Sequence, residues 1–235
     1  MKALRDYFIR HKYELAMYAM LGIATVICFM LAKARMNENY EQQYNYYYGY
    51  LLRNLYLAWT PFLIALITYH LKLIHKILRV ILPFICLIWL IFFPNAPYLL
   101  TDFQHIRLYS DSPKIWFDVN LLVWFAFTAL FLGLISLYLM HQVVQREFGR
   151  MAGWALVVTT GFFSSAGIYI GRFLRFNSWD IFQNPARLVN NLLTQSRDPN
   201  AVPITFVFLY TLFLIFIYSL FYVFGNLLQE DSQRK

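Results

Sequence analysis

Asp102 and His105 stand three residues apart, just beyond an intensely apolar run that ends in "IFFPNAPYLLTDFQHI". On a helix that spacing puts a carboxylate and an imidazole on one side, an arrangement in which the acid orients the ring as a general base. Farther along, "GRFLRFNSWD" carries Arg172 and Arg175 at the same spacing, then Asn177, Ser178 and Asp180. Two guanidinium forks suit the oxygens of a phosphate or another anionic head group. Arg53 and Asn54, in "LLRNLYLAW", and Asn95, between two prolines, offer further polar contacts. Asp180 is a second acid able to orient His105, and Ser178, Thr101 or water would be the nucleophile. No GxSxG, no HExxH and no other familiar catalytic signature accompanies them. Asp102, His105, Asp118 and Asp180 make a poor metal set, with one imidazole and scattered carboxylates, so no metal and no cofactor is expected.

The elements that must position these groups follow from composition. Charged residues are 14% of the 235, aromatics are 20% and hydrophobic residues 60%; the mean hydropathy is +0.49. A soluble domain carries about 25% charged residues. This chain cannot cover a water-facing surface, so its expected solvent is the lipid bilayer. The formal charge of +8 does not point to nucleic acid, because the basic residues form short clusters between apolar runs, the pattern of membrane orientation and lipid head-group contact. Cys28 and Cys86 lie inside apolar runs with no paired spacing and read as small buried hydrophobes.

Six stretches meet the requirement of about 20 mostly apolar residues for a spanning helix: residues 15–32, 51–69, 77–93, 119–140, 152–171 and 202–224. The basic head and "LAKA" imitate a secretory leader, but the apolar run is long and Lys33 spoils the small-x-small site, so an uncleaved span is expected. The tyrosines of "YNYYYGY" suit the head-group level. Pro83 is the expected kink in span three. Between spans five and six, Asn184 as N-cap and Pro185 as first helical residue open a short amphipathic helix whose Leu188, Val189, Leu192 and Leu193 share a face. In span five, Gly167 and Gly171 form a GxxxG pair, suited to close helix packing within the protein or against a partner helix. The expected architecture is all-α: an integral membrane bundle of six transmembrane helices plus one interfacial helix, a single transmembrane domain over residues 1–235.

Crossing parity then sorts the polar groups. The junctions after spans one, three and five share one side of the membrane, which gathers Arg53, Asn54, Asn95, Asp102, His105, Asp118, Arg172, Arg175, Asn177, Ser178 and Asp180 there. Eleven of the 20 Lys and Arg lie on the other side. The positive-inside tendency therefore places both termini in the cytoplasm and the polar groups outside. On this topology His11, His70, His75 and His141 are cytoplasmic.

Three segments also look familiar. "RNLYLAW.P" around Arg53–Pro61, "FFPNAPYLLTDF.H" around Phe92–His105 and "GIYIGRFLRFNSWD" at Gly167–Asp180 resemble the bacterial family known as domain of unknown function 1361. The resemblance runs from about Leu51 to Val223. It implies a multi-pass protein of the bacterial cytoplasmic membrane with a shared polar face, and it brings no catalytic residue. The expected function is an outward-facing, arginine-rich pocket for an anionic lipid-like ligand; whether the chain also turns it over, as a membrane-embedded enzyme acting on a lipid-linked or envelope substrate, is left open by the sequence. The alternatives are a non-enzymatic transporter and an accessory subunit of a membrane complex.

Overall fold

The computed structural model describes residues 12–37, 42–71, 75–109, 114–173 and 203–233. Among these the chain is helical almost throughout, with no strand. The helices are α1 (Lys12–Met36), α2 (Gln42–His70), α3 (His75–Phe92), the short α4 (Asn95–Tyr98), α5 (Ile115–Phe148), α6 (Arg150–Phe173) and α7 (Pro203–Gln233). A 3₁₀ helix, Leu99–Tyr109, follows α4 directly. Six helices are long and apolar enough to cross a bilayer. In lipid each backbone N–H and C=O must find a partner within its own segment, and a helix does that. Large apolar side chains such as Ile67, Phe84, Phe208 and Phe216 stand outward along them, as expected where lipid is the solvent. The protein is an all-α integral membrane protein with six spanning helices. The interfacial helix expected around Asn184–Gln195 lies outside the described residues.

The ends of the helices have identifiable causes. Pro203 opens α7, where its missing N–H costs nothing. Helix α3 runs through Pro83 to Phe92 and stops before Pro94; the Asn95 side chain donates from Nδ2 to the Phe92 carbonyl at 2.9 Å, which satisfies one of the carbonyls orphaned at that end. Only Gly149 separates α5 from α6. Its φ of +92° is one that a side chain resists, and its N–H bonds the Gln145 carbonyl at 3.0 Å. Helix α5 continues eight residues past Met140, the end of the fourth apolar run, and His141 and Glu147 are buried and partnered in that extension.

By its contacts the chain divides into two units, one made of Met1–Trp59 with Ala96–Leu132, the other of Thr60–Asn95 with Gly133–Lys235. In the first unit the Trp59 indole donates to Thr25 at 3.1 Å, and Cys28, fully buried, lies 3.6 Å from Thr128. Trp59 therefore ties α2 to α1, a role beyond the interfacial anchoring its type suggests. In the second unit, Trp89 donates to Ser136 at 2.7 Å and Ser136 donates to the Pro61 carbonyl at 2.9 Å, linking α3, α5 and α2 through buried polar groups. Helices α6 and α7 pack through Gly161, whose missing side chain leaves room for Ile215 and Thr211. Gly167 lies against Pro94: a Cβ there would sit 3.4 Å from the proline ring. Close packing inside the unit is thus one use of the glycine pair.

Candidate functional site

In the first unit the polar junctions meet. Arg35, in the last turn of α1, sends Nε to Oδ1 of Asp118 at 2.8 Å and Nη2 to Oδ2 at 2.9 Å, a two-pronged pair. Tyr48, near the start of α2, donates its hydroxyl to the same Oδ1 at 2.6 Å. All three residues are 2% exposed. Tyr50 and Tyr98 bring the start of α2 to α4 through hydroxyls 2.9 Å apart. Arg35 and Tyr48 were not among the residues expected at the site, although the signal was present: a cation closing one span and an acid opening another on the same side of the membrane. With both oxygens engaged, the Asp118 carboxylate is committed to holding α1, α2 and α5 together.

Asp102 and His105 are brought together as their spacing suggests, with a different helix doing the work. The segment is 3₁₀, in which residues three apart eclipse. His105 Nε2 lies 3.9 Å from Asp102 Oδ1. That is within ion-pair reach and beyond a hydrogen bond. Asp102 is fully buried and His105 is partly open. In such a pair the acid can orient the imidazole, the arrangement a general base needs. Thr101 is turned to its own backbone, donating to the Tyr98 carbonyl at 2.7 Å.

Arg53 and Asn54 are neighbours on α2 with opposite surroundings. Arg53 is exposed, and Asn54 is buried with its Nδ2 amide lacking a hydrogen-bond acceptor among the described residues. Asn95 and Arg172 belong to the second unit. The Asn95 amide donates to the Phe92 carbonyl at the end of α3. Arg172, in the last turn of α6, sits where the helix dipole favours a cation. Arg175, Asn177, Ser178 and Asp180 lie outside the described residues. Among the described residues no three His, Cys, Asp or Glu side chains converge as a metal set would.

His141 is fully buried, with Nδ1 2.6 Å from the Tyr218 hydroxyl, and Tyr222 stacks on its ring with centroids 5.3 Å apart. Gly153 gives it room: a Cβ there would approach its ring to 2.5 Å. It therefore joins α5, α6 and α7 inside the second unit.

No curated protein and no solved structure matches the chain. A family model does, over residues 53–217, most of the chain and all three segments that carry the resemblance. The six apolar helices and this match together place the chain in the family described as "Protein of unknown function (DUF1361)", to which it belongs.

Proposed function

We propose that the protein binds an anionic, lipid-like ligand at the membrane boundary, on the extracytoplasmic side of a bacterial cytoplasmic membrane. Arg53 supplies the exposed guanidinium, Asn54 an amide donor, and Asp102 with His105 the ionisable pair. Arg172 and Arg175, which follow the fifth crossing, add positive charge to that side of the membrane. The observation that carries the reading is the fully buried Asp102 with His105 3.9 Å away, in a unit that also holds the unpartnered Asn54 amide. Ionisable groups at the rim of a membrane protein are costly, and buried polar atoms are nearly always satisfied. Their collection in one unit argues for a polar ligand.

The same pair supports a second reading, an enzyme in which His105 is the general base, kept in orientation by Asp102. Mass spectrometry of lipids copurified with the wild type, Arg53→Ala and the Arg172→Ala, Arg175→Ala double variant tests the binding. An anionic lipid species should be lost from the variants; an unchanged profile rejects the proposal. His105→Ala separates the two readings. An enzyme without its base keeps its lipid and leaves substrate to accumulate in the membrane, whereas a binding protein shows no such accumulation.

A further inference from the structure

Glu147 is a carboxylate in an unfavourable place. It lies in the last turn of α5, where the helix dipole disfavours negative charge, and its side chain is fully buried. Three basic side chains converge on it. His75 Nδ1 is 3.0 Å from one oxygen and 3.1 Å from the other, Arg146 Nε is 3.1 Å from Oε1, and Arg79 Nε is 3.5 Å from Oε2. All lie in the second unit. The acid is hidden, but its partners are not: the His75, Arg79 and Arg146 side chains are 74%, 57% and 46% exposed. Each guanidinium meets Glu147 through Nε, on one edge of a planar fork that carries five N–H donors. One buried acid thus accepts a hydrogen bond from the Arg146 guanidinium and holds the Arg79 guanidinium within ion-pair reach. Two guanidiniums against one carboxylate leave the group net positive, and exposed Arg150 adds to it across the Gly149 joint. Arg79 is in the second turn of α3 and Arg146 in the last turn of α5, near the ends of helices long and apolar enough to cross a bilayer.

We propose that Arg79 and Arg146, oriented by Glu147 and flanked by His75, form a binding site for the phosphate of an anionic phospholipid. The site is distinct from the one containing Arg53 and His105. The two forks take the unesterified phosphate oxygens through their outer nitrogens, and the apolar face of α3 lies beside the acyl chains. Glu147 is a positioning residue: it touches the guanidinium groups and not the lipid.

This makes a prediction opposite to that of simple charge attraction. Glu147→Gln removes a negative charge and leaves the cluster more positive, so non-specific attraction strengthens; a built site loses the anchor of its guanidinium groups and weakens. The test is native mass spectrometry of the full chain titrated with phosphatidylglycerol in neutral detergent. Glu147→Gln and the charge-preserving Arg79→Lys, Arg146→Lys double variant should each bind roughly tenfold more weakly, the scale of one or two charge-assisted hydrogen bonds. The double lysine variant keeps the test open should Glu147→Gln fold poorly. Binding by Glu147→Gln equal to or tighter than wild type, or undiminished binding by the lysine pair, overturns the site. Displacement of the lipid by equimolar inorganic phosphate overturns its assignment to a lipid.

Discussion

A guanidinium and a carboxylate that are both 2% exposed, as Arg35 and Asp118 are, are costly to desolvate and worse to leave singly. Their worth lies in geometry, since two parallel hydrogen bonds and the Tyr48 hydroxyl fix α1, α2 and α5 in one register at this end. Arg35→Ala strands a buried charge and should destabilise the protein by about 3–5 kcal/mol. The paired substitution Arg35→Met, Asp118→Leu should cost far less, because neither charge remains. Thermal unfolding in detergent compares the two, and an equal loss in both would show that the pair does more than neutralise itself. Sequence spacing was enough to put Asp102 beside His105, because a period near three holds for either kind of helix. It was not enough to find Arg35, whose partner lies 83 positions away.

Helix boundaries show why local pattern carries only so far. The polar His141, Gln145 and Glu147 follow the fourth apolar run, and the helix runs on through them to Phe148. Tertiary partners decide this: Tyr218 for His141, and a ring of bases for Glu147. Gly153 is part of the same solution, since any side chain there collides with the His141 ring. Gly153→Ala should therefore cost about 1–3 kcal/mol by overpacking. In a His141→Ala background most of that cost should vanish, a coupling of roughly 0.5–3 kcal/mol between touching residues. Additive losses in a double-mutant cycle of unfolding midpoints would show that the two do not meet.

Six spanning helices make an even number of crossings, so the two termini should report the same compartment. A fluorescent protein that matures only in the cytoplasm, fused to either end, should be bright in both cases on the orientation that the basic residues favour. A cysteine at the exposed position Gln104, in a background lacking Cys28 and Cys86, should react with an impermeant thiol reagent from outside. Reaction only after the membrane is broken would mean that the segment ending at Phe92 turns back. Class and helix number were legible from order alone. Lipid forces the backbone to satisfy itself segment by segment, which makes spanning helices a local property of about 20 residues. Which polar groups meet is not local. Composition marks Asp118, Glu147 and His141 as out of place in an apolar protein, but only packed helices supply Arg35 and Tyr48 to the first, three bases to the second and an aromatic enclosure to the third. A buried charge or imidazole takes whatever partner the fold brings within about 3 Å, and that distance is set between helices remote in the chain.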